Sequence, residues 1–278
     1  MPDVAIVPPY QLVPTRHGAM LVNSNDVYMG QAYLRYGESF ETEVDILLSM
    51  LRFPGLVIDV GANMGVHAIP VAKELARQGR RMLAFEPQPV IFQQLCANLA
   101  LNGLMNVQAF PYACGSRTGT VSFAAPDYRQ GGNFGCVSMS RQAGDSETMT
   151  VPCHTLDEIV GETPVALIKI DVEGFELEVL RGARKLIKRS HPVMYVENDR
   201  VAKSQALIEW LLEKNYRLYW HIATLYNPNN YCGKTENIYG QIASYNMLCL
   251  HRDCPLKIAG AEEITDARVH PLAGLTPA

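Results

Sequence analysis

The chain has 278 residues, enough for one large or two small domains, with roughly three quarters of the unfolded surface hidden on folding. Hydrophobic residues make up 48% and charged residues 19%, which excludes disorder over most of the chain, coiled coil and collagen. Its 24 Lys and Arg against 28 Asp and Glu leave a net charge of −4, so no basic field exists to draw in nucleic acid or an anionic membrane.

From the N-terminus, Met1 to Gly18 lacks a basic stretch followed by an apolar run, so no secretory signal is expected. Residues 1–52 are expected to form a helical or capping segment ahead of a core over 53–252. Leu56-Val57-Ile58-Asp59-Val60 predicts a buried strand ending in Gly61. Ile69, Ala72, Leu75 and Ala76 then recur at helical spacing, and Pro70, which costs about 3 kcal/mol in a helix interior, sets the expected start. Arg81 to Glu86 predicts a second strand. Ile91, Phe92, Leu95 and Leu99 stripe a second helix that stops at Asn102-Gly103, and Val107 to Ala113 predicts a third strand. The uncharged stretch Pro87 to Ser116 is broken by Gln93, Gln94, Asn98, Asn102 and prolines, so it is not a membrane span.

Gly115 to Pro164 predicts a β excursion, with strands at Thr120 to Phe123 and Thr148 to Pro152 around a glycine-rich loop, Gly131 to Gly135. A fourth strand, Ala166 to Asp171, precedes one helix bearing Phe175, Val179, Leu180, Ala183, Leu186 and Ile187. The densest basic strips, Arg181 to Lys185 and Lys188-Arg189, fall on the solvated face expected of that helix. Val193 to Glu197 is a fifth strand, with a helix at Ala206 to Leu212 after it. Tyr216 to Trp220 and Tyr245 to Leu250 close the sheet, and 253–278 is an unpatterned tail. The series predicts an α/β fold, a mainly parallel sheet with helices on both faces, in a single domain over 1–278. Seven cysteines, including Cys136, in odd number and without a Cys-x-x-Cys, favour a reduced, cytoplasmic setting.

The most informative segment is Asp59-Val60-Gly61-Ala62-Asn63-Met64-Gly65, a strand running into a glycine-spaced turn that opens a helix. Glu86 ends the second strand 21 residues after Gly65, where a carboxylate can accept both hydroxyls of a ribose. A dinucleotide site would have its second glycine at Asn63, and Asp59 would repel a pyrophosphate while suiting an ammonium. S-adenosylmethionine carries an ammonium and a sulfonium and no phosphate. It is the preferred ligand over a nicotinamide cofactor.

These residues resemble the FkbM-type family of S-adenosylmethionine-dependent methyltransferases over roughly Gly37 to Arg252. The resemblance rests on Val57 to Gly65, Phe85-Glu86-Pro87, Thr155-Leu156-Asp157-Glu158 and, most specifically, Ile168-Lys169-Ile170-Asp171-Val172-Glu173-Gly174-Phe175-Glu176. It implies a class I, Rossmann-like methyltransferase fold, with seven strands of which the last is antiparallel. It further implies methylation of a small molecule or sugar, usually at oxygen. Asp59, Gly61, Asn63, Gly65 and Glu86 are the implied cofactor contacts. His67 and the acidic pair Glu38 and Glu41 depart from the pattern.

Methyl transfer is an in-line displacement in which the protein mainly aligns the nucleophile, and an alcohol must also lose its proton. Asp171, at the carboxyl end of the fourth strand, is assigned to the cofactor's methyl and the acceptor, and Glu173 to ordering the loop or the substrate. Among the histidines His67, His154 and His221, His154 joins Asp171 and Glu173 as the catalytic set. Asn133 is a lid candidate. Asp171 with Glu197-Asn198 offers oxygen ligands for a divalent metal, as in catechol-type O-methyltransferases, although Glu for Asp disfavours it. The competing readings are an N-methyltransferase, a nicotinamide oxidoreductase and a noncatalytic nucleotide-binding protein.

Overall fold

The computed structural model describes residues 5–135 and 148–273. Its first element is a hairpin, β1 (Tyr10–Thr15) against β2 (Gly18–Asn23), and only then do α1 (Met29–Tyr36) and α2 (Glu41–Ser49) follow. The helical expectation for 1–52 is corrected there. β1 keeps most of its side chains in solvent, so its sequence carries no apolar alternation to announce a strand.

β3 (Leu56–Val60) is buried along its whole length, as a strand with covered faces must be. α3 (Ala68–Arg77) starts two residues before Pro70. Pro70 falls in the first turn, where no intrahelical acceptor awaits an N–H. β4 (Met82–Phe85), α4 (Pro89–Leu101) and β5 (Val107–Phe110) come next. The expected third strand stops at Phe110, because Pro111 lacks the N–H that would extend the ladder. Beyond it β6 (Ala113–Cys114), β7 (Gly119–Ala124) and β8 (Thr148–His154) make a separate sheet in the order β6-β8-β7, the predicted excursion. Cys136 lies outside the described residues.

Thr155 caps α5 (Leu156–Val160) by accepting the Glu158 N–H at 3.2 Å, and β9 (Val165–Ile170) follows. The single helix expected after it is two, α6 (Glu176–Gly182) and α7 (Arg184–Ser190). The break falls where α6 ends against the excursion: a Cβ at Gly182 would lie 1.9 Å from the Gly115 carbonyl oxygen. β10 (Val193–Glu197), α8 (Val201–Glu213), β11 (Tyr216–Thr224) and β12 (Ala243–His251) complete the chain.

The main sheet runs β11-β12-β10-β9-β3-β4-β5. All its pairings are parallel except those of β12, which is antiparallel to both neighbours. Apolar clusters cover both faces, one around Val57, Met64, Leu75 and Leu95, the other around Ile58, Ile168, Leu180 and Ile208. This is the expected Rossmann-like architecture. The chain leaves along β5 at one edge and re-enters at β9 beside β3, so a crevice opens where the ends of β3 and β9 meet. Among the described residues no helix is long and apolar enough to cross a membrane.

Candidate active site

A cavity of about 270 Å³ lies over that crevice. Its floor starts at the turn after β3. Gly61 has φ +80°, and a Cβ there would lie 1.8 Å from the Asp171 carbonyl oxygen, so only glycine lets the ends of β3 and β9 touch. Asn63 takes φ +49°, one of the few residues besides glycine at ease in that region. Its N–H donates to Glu86 Oε2 at 3.0 Å, and the Gln88 N–H donates to Glu86 Oε1 at 2.9 Å. Burial pushes the Glu86 carboxyl up to about 7 against the pull of these two N–H groups. Gly61, Asn63 and Glu86 lie on the cavity wall, whereas Gly65 packs behind the turn against Ile69 and Leu95.

Asp59 sits beneath the wall, under Lys169. The register of β3 on β9 sets the two residues side by side. Lys169 Nζ donates to the Gly61 carbonyl oxygen at 2.7 Å and lies 3.2 Å from Asp59 Oδ1 and 3.4 Å from Asp171 Oδ2. Burial works against the lysine's charge, but Asp59 and Asp171 outweigh it and raise its pKa. The ammonium that Asp59 meets is therefore the protein's own. Sequence reasoning left Lys169 out of the site, although its alternation with Asp171 and Glu173 marked it.

Asp171, Glu173 and Glu197 converge, each offering an oxygen within 4.8 Å of the others. Glu197, at the end of β10, is only 9% exposed, and its Oε2 has no hydrogen-bond partner among the described residues. Burial, then the charges of Asp171 and Glu173, push its carboxyl well above the usual range. Asn198, read with Glu197 as a ligand pair, turns away and donates to Ser204 Oγ at 2.9 Å. Glu173 has φ +56° and pairs with Arg200. The loop itself is ordered by Glu176, whose Oε1 accepts the N–H groups of Gly174 at 2.8 Å and Val172 at 3.3 Å.

On the facing wall, His67 Nε2 lies 3.1 Å from Glu43 Oε2, with both side chains buried. Glu43 Oε1 accepts from Ser244 Oγ and, at 3.0 Å, from Asn246 Nδ2. Glu43 had no signal in the sequence. Glu38 instead staples Arg16 to Asn227 and Tyr231, and Glu41 pairs with His17. His154 is not brought to the cavity: its ring lies 4.7 Å from that of Tyr112 in the excursion. His221 is also off the wall, held by the Tyr195 hydroxyl at 2.7 Å. Phe123, Asn133 and Gly135 roof the cavity, tied down where Gln88 Nε2 donates to the Phe134 carbonyl oxygen at 2.9 Å and Val27 N–H to that of Gly132 at 3.0 Å.

A family model described as the methyltransferase FkbM domain matches residues 59–218. The chain belongs to the FkbM methyltransferase family. The FkbM match holds the glycine turn, Glu86, Lys169, Asp171, Glu173 and Glu197, and leaves out Glu43, Ser244 and Asn246. One curated relative, the hexuronic acid methyltransferase AglP of Haloferax volcanii, is 30% identical over 142 residues, 50% of this chain and 54% of that protein. Another, Methyltransferase 1 of Beauveria bassiana, is 27% identical over 164 residues, 51% of this chain and 64% of its own length. The chain thus spans between half and two thirds of the curated relatives it matches. The crystal structure of an FkbM methyltransferase from Methylobacillus flagellatus aligns over 72% of this chain and 45% of its own, with 18% identity and a TM-score of 0.46.

Proposed function

We propose that the chain transfers a methyl group from S-adenosylmethionine to a hydroxyl oxygen of a neutral small molecule or sugar. The observation that carries the cofactor reading is Glu86. Each of its oxygens accepts one backbone N–H and keeps a further lone pair, and the residue lies on the cavity wall, as a ribose diol requires. Gly61 and Asn63 let the backbone come close to the ligand, and Gly65 shapes the turn. Lys169 offers its ammonium to the carboxylate of the amino-acid portion, with Asp59 holding that lysine in place. Bound there, S-adenosylmethionine supplies a methyl group on a sulfonium, an electrophile with its own leaving group.

The chain's own residues then have to align and deprotonate the acceptor. Asp171, paired with Lys169, is placed to orient the acceptor hydroxyl. Glu197 can take the proton that the hydroxyl gives up only in its ionised form, and burial beside Asp171 and Glu173 makes that form a stronger base than an exposed carboxylate. Glu173 is held through Arg200 and borders the same space. His154 has no part in this reading, since its ring is away from the cavity.

The wall also speaks to the acceptor. Glu43, Asp171 and Glu173 face the space with Lys169 and His67. Glu86 and Glu197, both pushed toward the neutral form, add acidic oxygens but little charge, leaving a modest acidic excess that disfavours an anionic acceptor. A neutral hydroxyl is favoured over the carboxylate of a sugar acid, even though one relative is a hexuronic acid methyltransferase by name. The same excess favours an amine, which makes N-methylation the second reading.

Thermal unfolding with S-adenosylhomocysteine and with NAD tests the cofactor. At a hundred times its dissociation constant the first should add about 2.7 kcal/mol to stability and raise the melting temperature. Stabilisation by NAD and not by S-adenosylhomocysteine would end the reading. Labelled-methyl transfer to neutral sugars, phenols, sugar acids and amines then sorts the acceptor classes.

A further inference from the structure

At the end of the sheet opposite the cavity, where β10 begins and the antiparallel β12 ends, two histidines and an aspartate converge. His191 follows α7 with φ +44°, His251 is the last residue of β12, and Asp253 lies two residues on. The two imidazoles stack with centroids 3.6 Å apart and planes 14° from parallel. His191 Nδ1 and His251 Nδ1 are each 3.3 Å from the same oxygen, Asp253 Oδ2. A cleft of about 280 Å³ opens beside them, lined by His191, Asp253 and Cys254 with Phe53, Pro54 and Pro255.

These distances are informative. A charge-assisted bond from imidazolium to carboxylate closes to about 2.7–2.9 Å, so contacts of 3.3 Å are long for hydrogen bonds. In a tetrahedral site with metal–nitrogen bonds of about 2.0–2.1 Å and metal–oxygen bonds of about 2.0–2.2 Å, neighbouring ligand atoms stand about 3.3–3.4 Å apart. Both nitrogen–oxygen spans have that length.

We propose that His191, His251 and Asp253 form a site for a divalent transition-metal ion with zinc-like ligand preferences, its fourth position open to the cleft. Two imidazoles and a carboxylate are the ligand types such an ion prefers over magnesium or calcium. An imidazole nitrogen binds an ion along a lone pair in its ring plane, so the stacked rings must open for both to reach one ion. His191, whose side chain is 40% exposed against 7% for His251, is the one able to tilt. The ion replaces the 3.3 Å contacts of both Nδ1 atoms with Asp253 Oδ2, the 3.3 Å contact from the Asp253 N–H to His251 Nδ1, and the close stacking of the rings. Bound there, it clips the start of β10 to the end of β12. The inference is independent of the reaction proposed for the cavity.

The test titrates the full chain, purified without a histidine tag, with Zn²⁺ by calorimetry and with Co²⁺ by visible absorption. The expected result is one equivalent bound, an intense tetrahedral Co²⁺ spectrum, and a melting temperature raised by Zn²⁺. His191→Gln and Asp253→Asn change solvent-accessible side chains and should leave the fold intact. Each should weaken binding at least 100-fold and abolish the rise in melting temperature. No binding by the wild type, or equal binding by the wild type and both variants, overturns the proposal. Binding that survives both changes and is lost in Glu197→Gln puts the ion in the cavity instead, and overturns it as well.

Discussion

On the glycine-turn side of the cavity, polar side chains are satisfied by backbone N–H groups, all from within the family match. Glu86 takes the N–H groups of Asn63 and Gln88, and Asn63 Oδ1 takes that of Met64. On the facing side, side chains meet side chains: Glu43 of α2 accepts from Ser244 and Asn246 of β12 and lies 3.1 Å from His67 Nε2. The FkbM match, residues 59–218, covers the first side and omits most of the second. A turn closed by backbone is a self-contained unit that lies inside the family match, whereas the wall that faces it is built largely on α2 and β12, outside that match. In the proposed reading the turn holds the cofactor and acceptor choice resides on the wall.

Lys169 belongs to both sides, and changing it should break the comparison most severely. Its ammonium supports the Gly61 carbonyl, neutralises buried Asp59 and reaches Asp171. Lys169→Met leaves a buried carboxylate without its cation, which costs about 3–5 kcal/mol. Urea unfolding measures it, and adding Asp59→Asn to the same chain should recover part of the loss. A single variant within about 1 kcal/mol of wild type would mean that Asp59 is neutral when folded and that the pair carries no charge.

Asp171→Asn separates the two sides in function. Size and hydrogen bonding survive the change, and the charge proposed to orient the acceptor does not. With an acceptor found in the transfer screen, kcat should fall about 10²-fold, roughly 2.7 kcal/mol, while S-adenosylhomocysteine affinity moves by much less. Near-normal turnover in a folded variant would shift the acceptor's handling to Glu197 or to His67 with Glu43.

The same contrast explains what the sequence disclosed. The strand, turn and helix from Leu56 to Arg77 and the carboxylate at Glu86 are local signals, because spacing alone fixes their geometry. Register disclosed less: Lys169 meets Asp59 only because β9 pairs beside β3, which no local pattern states. Glu43 carries no signal, as it is one acidic residue among several on α2 and its partners Ser244 and Asn246 are 200 residues away. His154 drew attention as a histidine at a strand end, but the fold sets its ring against that of Tyr112, tilted by 50°. The break between α6 and α7 came from a contact with Gly115, and the hairpin at β1 and β2 from pairing without alternation.

Glu86 gives the smallest effect and the sharpest test of the turn side. Burial raises its folded carboxyl to about 7, above the ordinary value of 4.5. The folded protein therefore binds a proton that the unfolded chain has released between those values. The stability Glu86 contributes is full below about pH 4.5 and is lost as pH rises through about 7, roughly 3 kcal/mol in all and about 2 kcal/mol of it between pH 5 and pH 8. Glu86→Gln cannot titrate, but its amide nitrogen must face one of the N–H groups of Asn63 or Gln88, which lowers stability by a similar amount at every pH. The level of stability is thus a poor readout, and the slope is the right one. Asp26, raised to about 6, and Glu176 remain to give the variant some slope of the same sign. The difference between wild type and variant should shrink by about 2 kcal/mol from pH 5 to pH 8, measured by urea unfolding without ligand. A difference constant over that range would mean that Glu86 is ionised throughout, with the two backbone N–H groups outweighing its burial.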